Sequence, residues 1–470
     1  MGSKRRGHTG SEEEESMMNR EIRLSRRQLM TGAAAAAFGL TVAPRLSFAQ
    51  TAEEARAGFA GADVDWIAFK GESLTIEAMT HPWSAAIEPL LPLFTELTGI
   101  SVKLNTQSET EYTSQMPIKL GAKSAEPDVM MIHALGQFVS AGWAEPLDAY
   151  YADKALFDAA WYDQDDIFAM ARDFPAQTDG QNYSMSITAE AQTLFANKAM
   201  LGEAGLAVPA TMDDLLATAL KLKTDTVAGI AMRAKSDSSA GPWTCGGFVF
   251  SYGGEIIDGE GRCVLDSDAA IAGVEMYGRL LREAGPIGVG NYHWYEALND
   301  FSSGAAALGC DSSNFATDIS NPEKSLVAGD AVYAALPRAG EHPIKPNIWA
   351  WQAGINAYSK KKKAAFLLLS FLNSKPGCLM SAAGGLATVR NSAWKSEAFQ
   401  KRFGAEASAA ALLNLNSGDA KIFKAAWFHK KSSEILDPFA VAINQVVTGQ
   451  ADARAALTAA TTKINAALKG

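Results

Sequence analysis

Six large aromatic side chains sit at or beside the ends of short apolar runs in this chain: Trp83, Trp243, Tyr252, Trp294, Trp349 and Trp351. Flat rings cover apolar C–H faces, and carboxylates, amides and guanidinium forks near them bond pairs of hydroxyls, so these residue types suit holding a hydroxylated solute. Each ring has a plainer alternative as a cap on the core. Bond-breaking motifs are missing: there is no Cys-x-x-Cys, no Gly-x-Gly-x-x-Gly after a strand, no His-Glu-x-x-His and no Gly-x-Ser-x-Gly. Ser359-x-x-Lys362 and Ser392-x-x-Lys395 have the Ser-x-x-Lys spacing of penicillin-binding enzymes without its companion motifs. Asp266 and Asp268 could serve calcium, but they precede a helical pattern, and N-capping explains them without a metal. No cofactor and no metal is expected, and the reading is a binding protein, not an enzyme.

Such groups need a framework. Residues 74–79 alternate like a strand, and Ile87, Leu90, Leu91, Phe94 and Leu97 then recur at helical spacing, with Pro89 and Pro92 placing the first turn at Pro89. Gly99 ends that helix, residues 101–106 form a second strand, and a helix near 112–120 leads to the continuous apolar strand 127–133, the pattern of a buried parallel sheet. Three such alternations predict an α/β layer. A second alternating region runs from 191 to about 337, with a helix opened by 209–214, a hairpin at 255–265 turning on Asp258-Gly259, and a helix over 269–282. Residues 439–468 read as two helices broken at Gly449. The lysines 360–363 open a helix that buries Phe366, Leu369 and Phe371, and are read as a solvated helix start.

The N-terminal segment reads as an address. Ser25-Arg26-Arg27-Gln28-Leu29-Met30 precedes an apolar run, 31–42, and the small residues Ser47-Phe48-Ala49. That order predicts a secretory signal, and the paired arginines a twin-arginine signal, which exports folded proteins. The run is about a dozen residues, short of the roughly 20 a spanning helix needs. Glu12 to Glu15 disagree with a basic leader, so translation is expected from Met17 or Met18. Residues 1–49 hold 8 of the 42 Lys/Arg and 5 of the 52 Asp/Glu, so the remaining 421 residues carry a net charge of −13. Such a surface repels nucleic acid and anionic membranes. About 420 residues exceed one core, so two domains are expected. Cys245, Cys263, Cys310 and Cys378 allow three full disulfide pairings or four free thiols, and both remain open. None lies at the mature N-terminus to take a lipid, which favours a freely soluble periplasmic protein.

From Leu74 onward the order of pieces resembles the extracellular solute-binding proteins of carbohydrate importers, the maltose-binding-protein-like family. Phe94-Thr-Glu-Leu-Thr-Gly-Ile-Ser-Val102 is similar to its F-x-x-x-T-G-I-x-V, and Pro127-Asp-Val129 to its third strand. Glu190-Ala-Gln-Thr-Leu-Phe-Ala-Asn-Lys198 with Gly205-Leu-Ala-Val-Pro-Ala-Thr-Met-Asp-Asp214 is similar to its E-x-x-x-L-x-Y-N-K…G-L-x-x-P-x-T-W-x-E, with Ala196 for Tyr and Met212 for Trp. Phe250-Ser-Tyr-Gly-Gly254, Ala353-Gly-Ile-Asn-Ala357 and Phe371-Leu-Asn-Ser374 follow in the family's order.

The resemblance implies an α/β type II periplasmic binding protein with two discontinuous lobes, a multi-strand hinge and a ligand cleft between them. Carried over, residues 50–73 are a polar leader, 74–188 plus 340–389 one lobe, and 189–339 plus 390–470 the other. It implies a monomer that hands a sugar or polyol to the permease subunits and cytoplasmic ATPase of an ABC importer. The alternatives are a polyamine or another non-carbohydrate solute, or an exported hydrolase. Glu190 matches a carboxylate that bonds sugar hydroxyls, and Gly241-Pro242-Trp243 the place of a stacking aromatic. Asp311 enters the cleft in relatives, with helix capping as its other reading. Arg390 stands at the last crossover, where an interlobe salt bridge is the rival role. His81, Glu109, Glu111 and His133 lie in loops that would face the cleft, and for His133 a core position is the preferred reading.

Overall fold

The structure is a computed structural model that describes residues 53–175 and 179–469. The twin-arginine signal and the start at Met17 or Met18 lie outside the described residues.

The first half grows from β1 (Ser73–Met79), whose Leu74, Ile76 and Ala78 are buried. Helix α1 (Pro82–Ile87) starts at Pro82, earlier than Pro89. The two inner prolines divide the segment instead: Pro89 falls in a 3-10 turn, and α2 (Leu91–Thr98) begins anew with Pro92 in its first turn, where a missing N–H costs nothing. Gly99 closes α2 in the left-handed region, at φ 70°. Strand β2 (Ser101–Gln107) runs parallel to β1 over its whole length. Helix α3 (Glu109–Gly121) is capped by Ser108, β3 (Val129–Ile132) pairs parallel with β1, and α4 (Leu135–Ser140) follows. The half ends at the short strand β4 (Met185–Ser186).

The chain then crosses into β5 (Glu190–Asn197), buried throughout, which opens the second half. Thr211 caps α5 (Met212–Leu222), followed by β6 (Ala228–Ala231), α6 (Gly241–Ser251) and α7 (Asp268–Arg279). The N-cap of α7 is Ser267, which accepts from the amide of Ala270, with Asp268 in the first turn, so the expected capping by Asp266 and Asp268 is met by the serine between them. Among the described residues no group of three or more His, Cys, Asp or Glu could hold a metal. The expected hairpin at 255–265 is reduced to one bridge, Ile257 with Cys263. The amide of Asp258 donates to Arg262 and that of Val264 to Ile256 on either side of that bridge, so the hairpin is present in short form, its turn held by the Asp258 carboxylate on the amides of Glu260 and Arg262 and by Gly261 at φ 77°. Helix α8 (Trp294–Ser302) and strands β7 (Ala306–Ser312) and β8 (Ala331–Ala334) complete the layer.

The return runs through β9 (Ile348–Trp349), paired with β5, into β10 (Gln352–Ile355), paired with β3 and β4. Helix α9 (Lys362–Asn373) begins in the lysine run, as expected. Toward the C-terminus come α10 (Ala405–Ser417), α11 (Ala420–Trp427), α12 (Ser432–Val447) and α13 (Ala453–Lys469), the last two broken at Gly449. Two sheets result, ordered β2-β1-β3-β10-β4 and β6-β7-β5-β8, with β9 on β5. The four cysteines are all free and buried. No helix among the described residues is long and apolar enough to cross a membrane.

Three segments link the halves and bond to one another. The amide of Ile187 donates to the carbonyl of Trp351 at 2.7 Å, and that of Ala189 to Ala387 at 3.0 Å. The amide of Trp351 donates to Thr188 Oγ1 at 3.3 Å.

Helix α5 packs so closely on β6 that a Cβ at Gly229 would lie 2.0 Å from the carbonyl oxygen of Ala219, whereas one at Gly259 would meet nothing within 4 Å. Backbone cannot yield as a side-chain tip does. Gly229→Ala should therefore cost about 1–3 kcal/mol in urea unfolding and Gly259→Ala well under 1 kcal/mol; equal effects would refute this account of the packing.

Candidate functional site

Parallel strands β1, β2 and β3 end together, and just past them come His81 at the cap of α1, Glu109 at the start of α3 and His133. Open α/β sheets place ligands at such carboxyl ends. In the second sheet β6 and β7 run parallel and β5 antiparallel to β7, so the ends of β6 and β7 coincide with the start of β5. That point gathers Arg233, Asp311 and Glu190.

Arg233 Nε donates to Asp311 Oδ2 at 2.8 Å, and its second arm takes the other carboxylate oxygen. Its Nη1 also donates to the carbonyl of Ser239 at 3.3 Å. Ser312 Oγ donates to Glu190 Oε2 at 2.7 Å, and Thr188 Oγ1 to Oε1 at 3.4 Å. Glu190 is 8% exposed and Asp311 1%. Burial pushes the Glu190 carboxyl upward, the bond from Ser312 and the Arg233 charge pull it down, and Asp311 adds to the upward push. Asp311 caps no helix; Ser312 does so, accepting from the amide of Asn314.

The sequence-derived rings divide into those at this point and those away from it. Trp243, in the first turn of α6, has the Arg233 guanidinium 5.0 Å above its ring. Trp349 stands directly opposite Glu190 in the β5–β9 pair, so both side chains rise from one face. Trp351 lies 5.1 Å from His81 across the two halves' junction and 5.3 Å from Trp349. Trp294 is half-buried against Tyr295 and Phe315. Trp83 is 2% exposed and belongs to the core, a correction that follows from the early start of α1, which turns it inward. Tyr252 is a second correction: it sits at the far end of α6 from Trp243, nine residues or about 13 Å along the axis. Its charged neighbours there are Asp213 and Arg279.

Arg390 is the third correction. It is fully buried, donates to the carbonyls of Asn373 at 2.8 Å and Asp163 at 2.9 Å, and lies 4.6 Å over Tyr162. Its Nη1 also pairs with Asp166 Oδ2 at 3.5 Å, the interlobe salt bridge named as its rival role, and its Nη2 is buried without a protein partner. Glu111 is likewise spent, closing the capping box of α3 with Ser108.

In the first half, His81 Nδ1 accepts from the amide of Trp83 at 3.0 Å, which leaves its proton on Nε2. Glu109 keeps an exposed edge at the start of α3; partial loss of water raises its pKa, Arg233 pulls it down, and Asp237 pushes it up. Those two partners belong to the second half, so Glu109 faces it. Sequence reasoning missed Arg233, Tyr295, His293 and Asn314. Tyr295 is 53% exposed and feels both Glu109 and Arg233. His293 Nε2 bonds Ser239 Oγ at 3.0 Å, and its pKa is lowered by burial first and by Arg233 next. A charged residue just past the apolar strand 228–231 was the available signal for Arg233.

Several polar atoms here are shut from water without a protein partner: Nε1 of Trp243 and Trp349, Nδ1 of His133 and His293, Oδ1 of Asn314 and Oε1 of Gln107. Two cavities, of about 120 Å³ beside Tyr151, Tyr162 and Arg172 and about 270 Å³ beside Phe69 and the 360–363 lysines, lie elsewhere and include none of these atoms. Buried polar atoms ordinarily have partners, and six more without one, among them Trp66 Nε1, Glu72 Oε2 and Arg390 Nη2, lie elsewhere among the described residues.

Burial lowers the pKa of His81 to about 3 and of His133 to about 4. In the unfolded chain both titrate near 6.5, so below that pH the unfolded state binds protons that the folded state refuses. Stability should fall as pH drops from about 6.5 toward 4, by up to about 1.4 kcal/mol per pH unit for each histidine. The double variant His81→Gln, His133→Gln should flatten this slope relative to the parent in denaturant titrations between pH 6 and 4.5. Equal slopes would refute it; the raised carboxyls act oppositely but equally in both proteins.

Residues 79–377 match the family model for bacterial extracellular solute-binding proteins. The chain is 28% identical over 406 residues to the erythritol/L-threitol-binding protein of Mycolicibacterium smegmatis, covering 79% of this chain and 83% of that one. In shape it is similar to an ABC transporter solute-binding protein of Agrobacterium radiobacter K84 in complex with ribitol, with a TM-score of 0.74, 24% identity, and 85% and 99% of the two chains covered. A counterpart from Agrobacterium vitis S4 with bound D-mannitol gives a TM-score of 0.72 at the same identity and coverage. At such identities the two structures speak to the fold alone, a type II periplasmic binding protein with two α/β lobes.

Proposed function

Since this chain belongs to the bacterial extracellular solute-binding protein family, we propose that it captures a sugar or sugar alcohol and delivers it to the permease of an ABC importer. The observation that carries the reading is the set Glu190, Asp311 and Arg233, flanked by polar atoms that have no protein partner. A hydroxyl both donates and accepts, so a polyhydroxylated molecule can satisfy carboxylate oxygens and indole or imidazole nitrogens together. The sugar-alcohol names of the relatives support the same class.

In this reading residues 74–188 with 340–389 form one lobe and 189–339 with 390–470 the other. The three mutually bonded crossing segments act as the hinge, and closure buries the solute. Twin-arginine export would deliver the folded protein to the periplasm as a monomer, there to meet the permease and its cytoplasmic ATPase. A hydrolase fits less well, since both oxygens of Asp311 are held by Arg233.

A solute that binds only the folded state raises its stability, by about 2.7 kcal/mol at a hundred times Kd. The mature protein should therefore melt several degrees higher with at least one sugar or polyol from a panel that also contains amines and amino acids. A response to amines alone would refute the carbohydrate assignment, and turnover of any compound would refute the binding role.

A further inference from the structure

Helix α6 carries two glycines in its interior, Gly246 and Gly247, although glycine is the poorest helix former after proline. A pair of buried amides accounts for them. A Cβ at Gly247 would lie 1.8 Å from Gln192 Oε1 and 2.8 Å from the main-chain nitrogen of Asn347, and one at Gly246 would lie 3.0 Å from Asn347 Nδ2. The missing side chains let both amides reach the first turn of the helix. Gln192 Nε2 donates to the carbonyl of Thr244 at 2.8 Å, and Asn347 Nδ2 to that of Trp243 at 2.6 Å.

Both amides are engaged at their oxygens too. Gln192 Oε1 accepts from the main-chain N–H of Asn347 at 3.4 Å, and Asn347 Oδ1 from that of Ile348 at 3.0 Å, where β9 starts. From Thr244 the chain of bonds runs on toward Arg233. The Thr244 and Tyr277 hydroxyls meet at 2.7 Å, and Tyr277 gives its one proton to the carbonyl of Arg233, so Thr244 is the donor between them. Gln192, Thr244, Tyr277, Asn347 and Ile348 are all fully buried. A buried network whose members are all satisfied holds one arrangement, because any other strands a polar group away from water. One end of this network is the Arg233–Trp243 pair, and the other is the second crossing segment.

We propose that Gln192, Thr244 and Asn347 are positioning residues for solute capture, tying the place of Arg233 and Trp243 beside Glu190 to the crossing segment at β9. This rests on the solute-capture reading and adds how the site's geometry follows the joint between the halves. None of the three has to touch the solute: a shift of β9 reaches Trp243 through the Asn347 amide, and Arg233 through Gln192, Thr244 and Tyr277.

Titration calorimetry with erythritol, ribitol, mannitol, glucose and maltose, alongside urea unfolding, tests this at a temperature where each protein is folded. The proteins are the mature parent, Thr244→Val, Gly247→Ala, and Gly247→Ala combined with Gln192→Ala. Gly247→Ala alone should be destabilised, since its methyl collides with the Gln192 amide. Removing that amide in the double variant should return most of the lost stability, while affinity for the best-bound compound stays about tenfold below the parent. A residue that served stability alone would bring affinity back with it. The isosteric Thr244→Val should weaken the same compound about threefold. Parent-like affinity in the double variant and in Thr244→Val would overturn this inference and leave solute capture standing. Binding of none of the five compounds by the parent would overturn both. Should the glycine variants fail to fold, Thr244→Val alone decides.

Discussion

Two carboxylates leave water side by side at the strand ends, and the Arg233 guanidinium answers them. Glu190 and Asp311 are joined through Ser312, whose hydroxyl serves one and whose amide serves the other. Stripping water from a carboxylate costs several kcal/mol, and a neighbouring anion raises the cost, so this arrangement holds only while Arg233 keeps its bidentate grip on Asp311. Arg233 is in turn steadied at its backbone by the Tyr277 hydroxyl and covered on one side by Trp243. The strand order, the start of α6 and the packing of α7 can all be understood as what is needed to hold this charge set in place.

The same point lies beside the joints. Glu190 opens β5 just after the first crossing segment, and Trp349 and Trp351 flank the second. A change in the angle between the halves would therefore move Glu190, Trp349 and Trp351 relative to the first half without a long lever. Across the seam the fit is tight: a Cβ at Gly136 in α4 would come within 2.1 Å of the carbonyl oxygen of Phe428, and Phe174 stacks on Phe423 at 5.3 Å. Glycine at that position lets the halves approach backbone to backbone, which a side chain would prevent. Such proximity explains why polar atoms of the site are sheltered from water, and why Glu109 on one half senses Arg233 on the other.

The framework was legible because periodicity reports burial. Alternation over 74–79 and the apolar block 127–133 located β1 and β3, and the signature around 190–214 located β5 and α5. Local chemistry was less legible where one residue type serves two ends. Arg390 bonds two main-chain carbonyls and pairs with Asp166 in the first half, whereas Arg233 grips Asp311 beside Glu190; only the three-dimensional partners separate them. Tyr252 and Trp243 sit on one helix, and sequence could not say which end met the site. The hairpin expected at Asp258-Gly259 is present but short, because its turn spans 258–262, where the aspartate side chain takes the amides of Glu260 and Arg262.

The thiols connect the fold to the way such a chain would travel. Cys245, Cys310 and Cys378 are buried, as is Cys263, and burial raises the pKa of all four, so little reactive thiolate exists in the folded protein. In an unfolded chain the same four would be ordinary thiols, free to pair in three ways under oxidation. A formed core therefore shields all four thiols from oxidation, and the export of an already folded chain proposed above is compatible with that shielding.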